Sequence, residues 1–149
     1  MQLTGLLDFL RDSALYRALL VRLTDRQPVD NLNVLRSARP FFLASLARDW
    51  DGPVIYVTGR IDRAYNVSEQ LPVWLGDSRP IYRFGEPAPM FYERAPWGEN
   101  VIRSRIATLA ALVPPDDFTP AAQPVIITSA RALMQRTLPV HQFRDSAML

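Results

Sequence analysis

Two stretches of the chain share an uninterrupted apolar run bounded by a proline and an arginine. Pro53 to Arg60 reads PVIYVTGR and Pro124 to Arg131 reads PVIITSAR. Runs of four or five β-branched and apolar residues without polar alternation suit strands covered on both faces, as in a parallel sheet between helices. A shorter run, Ile81 to Phe84, supplies a third candidate strand. Each of the two long runs ends on a threonine and then an arginine, and so delivers both side-chain types to the carboxyl edge, where such sheets bind ligands. The likeness stops at the strand and its turn, so it is two similar strands and not a sequence repeat.

The intervening segments have helical spacing. Leu3 to Leu23 carries leucines that predict one interrupted helix or two short ones, with Thr4 and Ser13 as N-caps. Ser37 as N-cap and Pro40 in the first turn open a helix whose Phe42, Leu46 and Trp50 recur at i, i+4, i+8. Ala64, Val67, Leu71 and Trp74 mark another, which Pro72 is expected to end or kink. After a proline-bearing loop from Gly85 to Trp97, a helix opens at Gly98, with Ile102, Ile106, Leu109 and Val113 as its apolar stripe and Arg103 and Arg105 directed away. Pro114 to Pro124 reads as a surface connection, a short helix through Ala132, Leu133 and Gln135 follows the last strand, and the tail from Leu138 has no strong pattern. The alternation of strand and helix predicts an α/β fold with a small parallel sheet and flanking helices. Three clear strands are few for a doubly wound domain, which points to a larger protein with further elements downstream.

Composition narrows the chemistry. At 149 residues, 48% apolar and 21% charged, the chain fits one globular domain. It lacks a run long enough for a membrane span and a signal-peptide pattern, so the expected location is cytoplasmic. There is no cysteine, which excludes disulfides, thiolate catalysis and cysteine-based zinc sites. All 17 basic residues are arginine, so a Schiff-base lysine and a phosphate-loop lysine are excluded as well. Neither glycine-rich nucleotide motif occurs, and the turn where a phosphate loop would precede the Phe42 helix reads Val34-Leu35-Arg36-Ser37-Ala38-Arg39-Pro40. Asp116-Asp117 falls in a proline-rich connection, His141 has no cysteine partner or nucleophile elbow, and Glu86 and Glu93 flank a loop with no implied scaffold between them. No catalytic residue, metal site or cofactor is expected. What remains is a display of Arg60, Arg63, Arg131 and Arg136 beside Thr58 and Thr128, either as phosphate contacts or as helix starts and caps.

Taken in order, PVIYVTGR, the loop Met90 to Trp97 (MFYERAPW), the segment Ser104 to Leu109 (SRIATL) and Pro124 to Pro139 (PVIITSARALMQRTLP) resemble the N-terminal UvrB-like module of bacterial transcription-repair coupling factors. The resemblance runs from about Ala38 to Phe143. It divides the chain into an N-terminal helical extension (1–35), a UvrB-like degenerate helicase subdomain (36–143) and a tail (144–149). It implies a degenerate RecA-like half-domain in which Thr58-Gly59-Arg60 and Thr128-Ser129-Ala130-Arg131 stand where two backbone-contacting helicase motifs would be. It also implies a lost ATP site, in agreement with the missing phosphate loop. The departures are the Glu86 to Pro89 segment, Pro72 and the first 35 residues.

On that resemblance the chain is expected to be a non-enzymatic scaffold in transcription-coupled nucleotide excision repair. Its partners would be other domains of the same factor and, through an adjoining subdomain, UvrA. The alternative is a module that holds DNA backbone, with Thr58, Arg60, Arg63, Tyr92, Arg94, Thr128 and Arg131 as the contacts.

Overall fold

The two long apolar runs form adjacent parallel strands. A computed structural model of the protein describes residues 3–88, 93, 95–113 and 123–147. Three strands, β1 (Val54–Thr58), β2 (Ile81–Phe84) and β3 (Val125–Ser129), form one parallel sheet in the order β1-β3-β2. The register pairs Val54 with Val125 and Thr58 with Ser129 on one side, and Ile81 with Val125 and Phe84 with Thr128 on the other. Among the described residues seven α-helices accompany it: α1 (Asp8–Arg11), α2 (Ala14–Thr24), α3 (Arg39–Asp49), α4 (Ile61–Leu75), α5 (Glu99–Leu112), α6 (Ala130–Met134) and α7 (Val140–Ala147). No helix among the described residues is long and apolar enough to cross a membrane.

The central strand β3 is buried at every position, as its unbroken apolar run requires. The main core lies on one face of the sheet, where Leu43, Ala44 and Ala47 of α3 and Ala64, Val67, Leu71 and Leu75 of α4 meet Val54, Val125 and Ile127. A smaller cluster of Phe84, Ile126 and Ala132, joined by Tyr82 and Leu109, forms under α5 and α6 on the other face. β1 is only half covered there, and Ile55 and Val57 remain exposed.

Both edges of the sheet are fastened by arginine. Arg79, two residues before β2, is 8% exposed and donates to the carbonyls of Gly52 (2.6 Å) and Gln123 (2.6 Å), which lie two residues before β1 and β3. It also donates to the carbonyls of Trp50 (2.8 Å) and Ala47 at the end of α3. One side chain thus ties together the amino ends of all three strands and caps a helix whose last carbonyls have no partner within it.

Several local expectations need correction. α3 begins at Arg39 with Ala38 as its N-cap and no side-chain cap, so Ser37 does not cap it. Its core face is Leu43, Ala44 and Ala47, while Phe42 turns toward α2 and packs edge-on against Tyr16 with ring centroids 6.0 Å apart. α4 continues past Pro72 to Leu75, because the proline stands in the last turn and removes only one internal hydrogen bond. Gly76, at φ 57°, then ends it. The segment beyond Leu138 contains α7, with Phe143 buried and His141 exposed. α5 is rotated: Arg105 and Thr108 face inward, while Ile102 and Ile106 are 42% and 52% exposed. In contrast, Ser13 caps α2 as its sequence suggests, accepting from the Tyr16 N–H.

Candidate functional site at the carboxyl edge of the sheet

Because the strands are parallel, Thr58, Phe84 and Ser129 end at one edge, and α4 and α6 start immediately beyond it. The two threonines read as phosphate contacts are turned inward. Thr58 is 7% exposed and its hydroxyl donates to the Arg60 carbonyl at 2.7 Å, closing the turn into α4. Thr128 is 1% exposed and donates to the Phe84 carbonyl at 3.0 Å. A hydroxyl has one hydrogen, so each is committed to a backbone acceptor inside the fold.

Arg131 is similarly engaged. Its Nη1 donates to Glu86 Oε1 at 3.0 Å, and its Nη2 donates to the carbonyls of Ala88 at 3.0 Å and Pro87 at 3.3 Å. The other carboxylate oxygen of Glu86 accepts from the Ser129 hydroxyl. That hydroxyl in turn accepts the Ala132 N–H and caps α6. Glu86 therefore bolts the exit of β2 to the exit of β3. Tyr92 and Arg94 lie outside the described residues, as does the connection that holds Asp116 and Asp117.

On the β1 side the picture is different. Arg60 donates from Nε to Asp62 at 3.0 Å, and that hydrogen bond holds the Asp62 carboxyl below its ordinary value. Arg63, one turn along the exposed side of α4, has a guanidinium with no hydrogen bond or ion pair among the described residues. These two residues line a cleft of about 650 Å³ together with Arg36, Ser37 and Arg39 at the start of α3 and Tyr56 of β1. Arg39 makes only a long contact, 3.4 Å, to the Val34 carbonyl. Four guanidiniums against the single carboxylate Asp62 leave the cleft strongly cationic, and its size suits a small ligand or a short run of phosphates.

The edge therefore separates Arg60 and Arg63, which share this cleft, from Thr58, Thr128 and Arg131, which serve the fold. Arg36 and Arg39 are the residues that the pattern of the sequence did not single out. Their signal is the i, i+3 spacing at a helix start, in a segment that lacks the glycines and lysine of a phosphate loop. A second hollow, near the ends of β2 and β3, has about 110 Å³. The guanidinium of Arg83, one of the residues lining it, lies 4.7 Å from the centre of the Tyr65 ring, another of them.

Among the described residues no group of three or more His, Asp or Glu side chains is arranged to hold a metal ion. No family model, curated protein or solved structure matches the chain.

Proposed function

We propose that the chain is a non-catalytic scaffold with the fold of a degenerate RecA-like half-domain, equivalent to the first UvrB-like subdomain of a transcription-repair coupling factor. In this reading it packs against the other domains of that factor and supports UvrA recruitment through an adjoining subdomain. The observation that carries the reading is the engagement of most strand-end side chains at the carboxyl edge: Thr58, Thr128, Ser129, Glu86 and Arg131 form hydrogen bonds with one another and with backbone groups. A motor would keep that edge available for nucleotide and nucleic acid. The resemblance of PVIYVTGR and PVIITSARALMQRTLP to that family supports the same reading, as does the absence of any lysine for a phosphate loop.

A second reading is favoured by the cationic cleft. Arg36, Arg39, Arg60 and Arg63 would hold a DNA phosphate backbone, in place of the set that included Arg94 and Arg131. Fluorescence anisotropy with a labelled oligonucleotide across a salt series separates the two. A backbone binder loses affinity with a log-log slope of about −0.9 per phosphate contact, and replacing Arg36 and Arg63 by Glu removes the binding. A scaffold gives no binding to titrate, and instead associates in trans with the remaining segments of a coupling factor. ATP turnover by the purified chain that is lost on mutating Arg39 or Arg60 would overturn both readings.

A further inference from the structure

Helix α5 is turned the wrong way for an isolated domain. Its sequence offers an apolar stripe, yet Arg105 is the side chain that goes inside, at 3% exposure, while Ile102 and Ile106 stand in solvent. The Arg105 guanidinium lies between Phe84 and Trp97, 3.8 Å and 5.0 Å from the ring centres. Its hydrogen bonds go to the carbonyls of Gly85, Ala132 and Gln135. Among the described residues no carboxylate pairs with it, and burial displaces its pKa downward. The rotation leaves Ile102, Ile106 and Leu109 lining a groove of about 410 Å³ together with Leu138 and Phe143. Among the described residues Arg105 and Arg136 are the charged residues lining it, and no acidic one does. The Arg136 guanidinium has no hydrogen bond or ion pair among the described residues.

We infer that this groove is a docking site for an acidic amphipathic helix of a partner protein or domain. The i, i+4 spacing of Ile102 and Ile106, extended by Leu109, makes a straight apolar ridge of about two turns. Such a ridge matches the apolar face of a helix laid alongside it, with anchors at i, i+4 and i+7. The charge selects the occupant. Arg136, exposed and without an ion pair among the described residues, calls for a carboxylate on the flank of the docking helix and disfavours a second copy of the same basic groove. Docking would cover the isoleucines and give Arg136 its partner. The inference rests on the orientation of α5 and stands whether or not the chain is a coupling-factor scaffold.

The test uses the full chain and a designed, fluorescein-labelled helical peptide of about 16 residues, or ~24 Å. The peptide carries leucines at i, i+4 and i+7 and glutamates beside them. Saturable binding is expected, weakened at least about tenfold by Ile106→Asp in the protein or by Gln for Glu in the peptide. Because Ile106 is half exposed, the variant should keep the wild-type circular dichroism spectrum and urea midpoint. Arg136→Glu is expected to weaken binding of the Glu peptide and to restore binding of its Arg counterpart. Absence of saturable binding overturns the inference, as does an affinity indifferent to Ile106→Asp. If light scattering shows a dimer that Ile106→Asp dissolves, the occupant is a second copy. If decanoate displaces anilinonaphthalene sulfonate from the groove while the peptide does not bind, the occupant is a small apolar acid. Either result overturns the helix.

Discussion

Arginine does in this molecule what a mixture of residues does elsewhere, and Arg79 is the clearest case. Its planar fork reaches four carbonyls from three segments, with burial lowering its pKa against a weaker opposing effect of Asp51. Replacement by alanine leaves those buried acceptors unpaired. Arg79→Ala is expected to cost about 3 kcal/mol in urea denaturation, and Lys at this position should recover little, because an ammonium cannot span the same acceptors. Asp49 is the counterpart among the acids. Its side chain is 4% exposed, and it accepts from Arg11 at 2.5 Å and from the Tyr16 hydroxyl at 3.1 Å, with Arg48 at 3.2 Å. Burial pushes its pKa up, but the hydrogen bonds from Arg11 and Tyr16 and the charges of Arg48 and Arg11 outweigh that, so the net shift is down. A folded-state pKa below the unfolded value, about 3.9, means stability that is present above that pH and lost as pH falls through the folded value. Asp49→Asn is therefore expected to cost about 2 kcal/mol at neutral pH, and the gap to the wild type should narrow in acid. Urea midpoints at neutral pH and below about pH 4 check the sign.

At the scale of elements, the strands were legible because β-branched runs bounded by proline have few other solutions, and β1, β2 and β3 fall where the pattern puts them. Helix existence was legible too, but not helix rotation. In α3 and α5 more than one face is apolar enough to be core, and the choice is made by tertiary contacts that periodicity does not encode. For α5 the deciding contact is Gly85. A Cβ there would come within 2.6 Å of Ser104 Oγ and 3.3 Å of Val101 Cγ1, so the turn after β2 admits the helix only because that residue is glycine. Thr108 adds to the docking through its packing against β2, where its hydroxyl lies 3.3 Å from the Arg83 carbonyl. Gly85→Ala is expected to cost about 1–3 kcal/mol by overpacking. The double variant with Ser104→Ala should recover part of that loss, because the nearest clash is with the hydroxyl. A double-mutant cycle in urea measures the coupling, and strict additivity would refute close approach as the cause. The candidate site was half legible for the same reason. The Thr and Arg residues at the strand ends were visible in sequence, but whether a hydroxyl points out to a phosphate or in to a carbonyl depends on the folded backbone around it: Thr58 turns to the Arg60 carbonyl in its own turn, and Thr128 to the Phe84 carbonyl of the neighbouring strand 44 residues away.

For the molecule as a whole, the N-terminal segment is the piece whose contribution a linear reading understates. The 3-10 turn Thr4–Leu7 places Leu7, 1% exposed, in the main core between α3 and α4, and the Leu3 N–H donates to the Val73 carbonyl at 2.8 Å. α1 and α2 are then held by charge: Arg48 reaches Asp8 at 3.0 Å, and Asp49 receives Arg11 and Tyr16. With a three-stranded sheet, the domain has little core to spare, and Leu7 belongs to the larger of its two clusters. Leu7→Ala should cost about 3 kcal/mol, the usual loss for a fully buried leucine. Deleting residues 1–24 should do more. It removes Leu7 from above Leu43 and Leu71, and it strips Asp49 of two hydrogen-bond donors while leaving Arg48 beside it. The truncated chain is expected to keep the far-ultraviolet dichroism of its remaining helices, to bind anilinonaphthalene sulfonate and to lose a cooperative urea transition, the signature of a collapsed state without fixed packing. If the extension were an appendage, the truncated chain would instead unfold cooperatively at the wild-type midpoint, and the core would have to be redrawn around α3, α4 and the sheet alone.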